Sequence, residues 1–237
     1  MAQADEGAPV GRRLVLSLFG LGVLGTVVGK RAQDLISDAV APIEMRDPTG
    51  LTSLLPVGNG FRYYSVTGGV PVRTATTYRL SVTGRVRTHL DLSLADLQAM
   101  PQTQLVRDFQ CVTGWRVPRV HWSGVLLSDL LDRAGPLPSA TAIRFTSFDG
   151  TYTESLTLEQ ARLPDVIVAL RMLDRPVTHD HGGPVRLYVA PMYGYKSLKW
   201  LSGIELTDTV EPGYWEERGY DVDGFVGRSN GRDDERT

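Results

Sequence analysis

The chain has 237 residues, 42% of them hydrophobic, with 25 Lys+Arg against 27 Asp+Glu and a single cysteine. That size supports one large domain with a substantial core. The near-balanced charge gives no sign of a nucleic-acid partner, and one thiol excludes an internal disulfide framework.

The first 29 residues read as a segment apart from the globule. Arg12 and Arg13 precede an uncharged run from Leu14 to Gly29, closed by Lys30 and Arg31. The run is shorter than the roughly 20 residues a spanning helix needs. Paired arginines before a short, glycine-softened apolar run resemble a twin-arginine export signal, although Gly11 replaces the usual serine or threonine. Ala39-Val40-Ala41 has the form of a cleavage site, but Pro42 follows directly. The expectation is an uncleaved anchor, with the domain outside the cytoplasmic membrane in a membrane-anchored or periplasmic setting. The bland alternative is the buried first helix of a soluble protein.

Residues 30–56 read as a linker with a short helix, residues 57–225 as the folded domain and residues 226–237 as a flexible tail. Within the domain, Phe61–Val66 alternates like a strand, and Tyr78–Val82 is a second, ended by Gly84. Ser93 and Asp96 form a capping-box pattern for a helix over Leu94–Ala99. Gln104–Gln110 alternates, with Leu105, Arg107 and Phe109 on one face and Val106, Asp108 and Gln110 on the other. Val125–Ala134 carries one apolar helical face and ends at Gly135. Ala142–Phe148 is a strand, Leu158–Arg162 a short helix, and Val166–Leu170, Val185–Val189 and Ile204–Leu206 are further strands. Strands outnumber helices and no βαβ rhythm emerges, so the fold class is α+β, β-rich.

Cys111 closes the Gln104–Gln110 strand and opens the loop Val112-Thr113-Gly114-Trp115. A thiol at a strand end beside a glycine turn is held rigidly and still faces a cleft, which suits a soft-metal ligand or a nucleophile. Taken alone, a lone cysteine is more often a small buried hydrophobe. As a nucleophile it would need His121 or His181 as a base.

Four ordered segments narrow the choice: Asp108–Trp115, His181–Arg186, Tyr193–Trp200 and Gly213–Tyr220. Together they resemble the molybdopterin-binding domain of the sulfite oxidase superfamily, in particular its bacterial sulfoxide-reductase-like branch, over roughly residues 55–225. The resemblance implies a fold of mixed sheets with short helices and a molybdenum–molybdopterin cofactor, its metal bound by the pterin dithiolene and by Cys111. It matches His181 and Arg186 to the pterin phosphate and polar edge, where a guanidinium binds in a bidentate way. It matches Gly194, Tyr195 and Lys196 to a segment closing over the pterin, with Ser197 and Lys199 as helpers. Asn59, Arg62 and Tyr63 fall in the first pterin-contacting loop, and Ser147, with Thr146 as rival, is a further contact. Thr113, Trp115, Arg116 and Asp108 are the neighbours expected to tune the metal.

The implied activity is oxygen-atom transfer on a small sulfur- or nitrogen-containing molecule. The alternatives are a thiol enzyme built on Cys111 and a non-catalytic molybdopterin-binding module. Gly114-Trp115 takes the place where sulfite oxidases carry an arginine pair, although Arg116 and Arg119 lie within reach in sequence, and the sequence singles out neither sulfite nor a sulfoxide as the substrate. Trp215 and its aromatic neighbours read as packing, and Glu216, Glu217, Asp221 and Asp223 as a solvated acidic face that could dock a basic electron carrier. No fused haem domain or dimerising β-sandwich is apparent in the sequence. The expected state is a monomer exchanging electrons with a separate haem protein or quinone.

Overall fold

Ten strands and three short α-helices make up the described part of the chain, which in this computed structural model is Phe61 and residues 64–235. The expected export segment, the linker and residues Asn59, Arg62 and Tyr63 lie outside the described residues. The described residues fall in one unit beginning at Phe61. Among them, no helix is long and apolar enough to cross a membrane.

Strands β1 (Arg79–Gly84), β2 (Leu90–Ser93), β5 (Ala142–Ser147), β6 (Thr153–Thr157) and β10 (Leu201–Thr207) form one sheet in the order β2-β1-β10-β5-β6. It is mixed, because β1 and β10 run parallel and the other pairs antiparallel. The second sheet is antiparallel and runs β3 (Thr103–Gln110), β4 (Arg116–Leu126), β7 (Val166–Met172), β8 (Arg175–Pro176), with β9 (Arg186–Val189) also on β7.

Both capping-box helices begin where hydroxyl and carbonyl side chains satisfy free backbone N–H groups. In α1 (Leu94–Ala99) Ser93 and Asp96 exchange these bonds, and in α3 (Leu158–Ala161) Thr157 and Gln160 do the same. Helix α2 (Leu127–Ala134) buries Leu127, Leu130, Leu131 and Ala134, then stops at Gly135 with φ 67°. It starts two residues later than its apolar pattern suggests. Val125 and Leu126 instead complete β4, pairing with Val168 and Ile167.

Strand β7 is buried on both faces, which explains its unbroken apolar run. Val166, Val168 and Leu170 join the main core with Leu80, Phe145, Leu187 and Ile204. Ile167, Ala169 and Met172 join an aromatic layer with Phe109, Trp122 and Tyr188. Strands β4 and β7 approach so closely that a Cβ on Gly124 would sit 2.1 Å from the Val168 carbonyl oxygen.

Three sequence expectations give way to tertiary contacts. Residues 64–66 are not in a strand; Tyr64 is exposed, with its ring tilted 42° to Trp215 at 6.0 Å. The alternation of β3 breaks at Asp108, where the pairing with β4 shifts register between Arg107 and Phe109. The segment from Val226 to Asp234 is packed on the domain: Val226 and Ser229 are buried, and the Tyr193 hydroxyl donates to Asp234 at 2.9 Å.

Candidate active site

The β3–β4 hairpin presents Cys111. Its turn is closed by Gly114 N–H donating to the Cys111 carbonyl at 3.0 Å and Cys111 N–H donating to the Trp115 carbonyl at 2.9 Å. Asp108 braces the base of the hairpin by accepting from the Arg116 guanidinium and, at 2.9 Å, from the Arg119 backbone N–H. That brace uses Arg116 at the hairpin base, and Arg119 is exposed. Neither belongs to the cleft wall, which removes the two cations expected beside the cysteine. His121, the other candidate base, pairs with Asp174 on an exposed surface.

Cys111 is half-buried and opens onto a cleft of about 390 Å³. Two groups of side chains line it. Val112 and the rings of Trp115, Tyr195, Trp215 and Tyr220 give the apolar, mainly aromatic part, with Trp215 stacked on Tyr220 at 5.3 Å. His181, Arg186, Ser197 and Lys199 give the polar part. The cysteine and the histidine–arginine segment, 70 and more residues apart in sequence, therefore share one cavity.

Arg186 is buried on β9, and its guanidinium stitches two loops by donating to the His181 carbonyl at 2.7 Å and the Ser197 carbonyl at 2.9 Å. Burial pulls its pKa down to about 10, leaving it cationic at neutral pH. Burial also depresses His181, with the Arg186 charge adding to the effect, to about 4. The imidazole is thus neutral at physiological pH and stands edge-on to Phe61 at 5.2 Å. Lys199 lines the same wall, donates to the Tyr64 carbonyl, and is brought down to about 8 by burial and by Arg186.

Lys196 is elsewhere. Its ammonium is wholly buried and spends its three protons on Glu154, on Glu216 at 2.7 Å and on the Ser155 carbonyl at 2.8 Å. It does not line the cleft, whereas Lys199, three residues on, does. The reason is local geometry: a 3-10 turn over Gly194–Lys196 directs Tyr195 and Lys196 to different neighbours. The same cluster overturns the solvated reading of Glu216. Gly194 reaches the cleft as expected, but its lack of a side chain serves packing, since a Cβ there would sit 2.5 Å from the Phe109 ring.

Ser147 is buried outside the cleft lining and accepts from Asp149 N–H at 3.1 Å. It supports a turn whose acid is at the site. Asp149 lines the cleft, caps Thr151 and Tyr152 N–H groups at 2.8 Å with Oδ1, and leaves Oδ2 buried with no hydrogen-bond partner among the described residues. Asp149-Gly150 looks in sequence like an ordinary strand terminator, so only the unpaired oxygen marks the residue. A buried carboxylate oxygen of this kind calls for a donor.

This donor set fits molybdopterin. Arg186 and Lys199 supply cations for a phosphate, Asp149 an acceptor for pyrimidine N–H groups, and Cys111 one soft thiolate. Among the described residues no three His, Cys, Asp or Glu side chains are grouped to hold a metal by themselves. Lys199 allows a direct check on the cofactor-free protein. Acylation should label it with a midpoint near pH 8, since the neutral amine reacts, while Lys196 stays unlabelled until unfolding. Mass spectrometry of the digest reads both sites.

Residues 67–215 match the family described as the oxidoreductase molybdopterin binding domain. The oxidoreductase YuiH of Bacillus subtilis is 35% identical over 159 residues, spanning 67% of this chain and 80% of that one. The protein-methionine-sulfoxide reductase catalytic subunit MsrP of Xanthomonas campestris is 27% identical over 255 residues, spanning 95% of this chain and 79% of that one. Among solved structures, the sulfane dehydrogenase SoxCD of Paracoccus pantotrophus shares the fold, with a TM-score of 0.56 at 23% identity, over 60% of this chain and 41% of that one.

Proposed function

The chain belongs to the molybdopterin-binding oxidoreductases of the sulfite oxidase superfamily, and from that premise we propose that it reduces a sulfoxide to a thioether at Cys111, outside the cytoplasmic membrane. The observation carrying this reading is the shared cleft, which one thiol, a set of aromatic side chains and two cations line together. Similarity to MsrP along 95% of the chain supports the substrate class. The Arg12-Arg13 segment supports the location.

When bound, the molybdenum–pterin group supplies two-electron chemistry that accepts an oxygen atom. Cys111 would be its protein thiolate. Arg186 and Lys199 would hold its phosphate, with His181, neutral at physiological pH, lining the same cleft, and Asp149 would accept from its pyrimidine N–H groups. Gly194 and Ser197 border it, and Tyr195 joins Trp115, Trp215 and Tyr220 in an apolar surface suited to the substrate's carbon chain. The balance is one sulfoxide, two electrons and two protons giving one thioether and one water. The electrons come from a separate haem protein or quinone. Among the described residues, the cations of the cleft are Arg186 and Lys199, both assigned here to the phosphate, and the aromatic residues that remain accept a neutral S=O group more readily than a doubly charged oxyanion.

The test is protein purified from a host that makes the cofactor. About one molybdenum per chain and oxidation of a reduced viologen by a methionine-sulfoxide peptide are expected. Metal-loaded protein that ignores sulfoxides but oxidises sulfite with ferricyanide would overturn the substrate assignment.

A further inference from the structure

The hydroxyl of Thr113 lies 3.1 Å from Cys111 Sγ. We propose that Thr113 is a positioning residue that donates a hydrogen bond to the cysteine sulfur and thereby sets how strongly that sulfur donates to its metal; this rests on Cys111 being the metal's thiolate.

The contact follows from the turn. Val112 and Thr113 are the corner residues between Cys111 and Gly114, whose N–H closes the turn on the Cys111 carbonyl. Gly114, at φ 103°, then turns the chain back so that Cys111 N–H reaches the Trp115 carbonyl. Two backbone bonds therefore fix Thr113 relative to Cys111, and a β-branched side chain has few rotamers to explore. The turn is also braced from outside. A Cβ on Gly114 would come within 3.2 Å of the Arg232 guanidinium, which is itself held by Asp234 at 2.6 and 3.0 Å.

The direction of the bond is decided by chemistry. In a free thiol either partner could donate. A metal-bound sulfur carries no proton, so the hydroxyl must donate and the sulfur accept. Among the described residues, no other side chain hydrogen-bonds to this sulfur. Thr113 is otherwise exposed and outside both apolar clusters near the cleft. Its packing alone gives little reason for a hydroxyl here.

A hydrogen bond to a ligating thiolate drains charge from the sulfur. It therefore favours the reduced metal and deepens the sulfur orbitals from which charge-transfer absorption starts. Removing it should lower the midpoint potential of the molybdenum couple and move the sulfur-to-metal absorption to longer wavelength. No electron or proton is gained or lost by the bond itself.

The experiment compares holoenzymes of wild type, Thr113→Val and Thr113→Ser, each first assayed for molybdenum content and then titrated by dye-mediated potentiometry with absorption and EPR detection. Thr113→Val should hold molybdenum, titrate at a more negative potential and absorb at longer wavelength. Thr113→Ser should restore both wild-type values, which a packing effect would not. Thr113→Ala reads the same shifts should the valine variant fail to load. A hydroxyl-free variant with full molybdenum and wild-type potential and spectrum overturns the role of Thr113 while leaving the metal assignment intact. Wild-type protein whose metal content and spectrum are unchanged in Cys111→Ser overturns both.

Discussion

Replacing Lys196 by methionine should destabilise the domain by about 3–5 kcal/mol at neutral pH, the cost of breaking a buried ion pair by removing one partner. Among the described residues the ammonium is the sole cation bonded to Glu154 and Glu216, and all three side chains are buried. Glu154 Oε2 and Glu216 Oε2 already have no partner among the described residues, so the variant would leave two carboxyl groups facing each other without a counter-charge. Burial holds the Glu154 carboxyl well above its usual range, with Lys196 pulling it down and Glu216 pushing it up. Loss of the ammonium must raise it further. A carboxyl whose folded pKa is raised contributes stability that is present below its unfolded pKa, near 4.5, and lost as pH rises through the folded value. The deficit of Lys196→Met should therefore be smaller at pH 5 than at pH 8, as read by urea denaturation at both. Adding Glu216→Gln should recover part of it. A deficit under about 1 kcal/mol at pH 8 would mean that the cluster is not sealed from water.

The consequence extends to the site. Glu216 lies in the 3-10 turn Glu216–Arg218, directly after Trp215. Tyr220 and Trp215 line the cleft, and the Tyr195 hydroxyl donates to the Asp221 carbonyl at 2.6 Å. Lys196 thus fastens the segment that supplies the aromatic wall, although it does not reach the cleft itself.

Replacing Cys111 by serine should abolish sulfur-to-metal absorption and reduce turnover by more than about 100-fold, beyond the range for losing an outer partner of a metal ligand. A serine hydroxyl is a harder donor and is not readily deprotonated at neutral pH. The cofactor-free variant should keep its stability within about 1 kcal/mol, because the turn is held by backbone bonds that do not involve the side chain. Metal analysis, the visible spectrum and denaturation of the cofactor-free form separate the two effects. A serine variant with unchanged spectrum and activity would exclude Cys111 as the metal's thiolate.

Much of the architecture is legible in local sequence, because helix caps and apolar periodicity act within a few residues. Ser93 with Asp96 and the Gly135 stop are of this kind. The family resemblance of the Cys111, His181–Arg186 and Tyr193–Trp200 segments is equally legible, and all three meet in one cleft. What one strand says about itself is less secure where a neighbour intervenes. The bulge at Asp108 and the capture of Val125 and Leu126 by β7 depend on pairing with distant residues.

Residue types in order along the chain suffice for the family, the β-rich class and the lone thiol. Which lysine serves the cleft, that Asp149 and not Ser147 faces it, and that Glu216 is buried emerge only once the chain is folded. Those outcomes turn on desolvation and on the direction of a side chain. Both are set by residues far away in sequence, Glu154 for Lys196 and Tyr64 for Lys199.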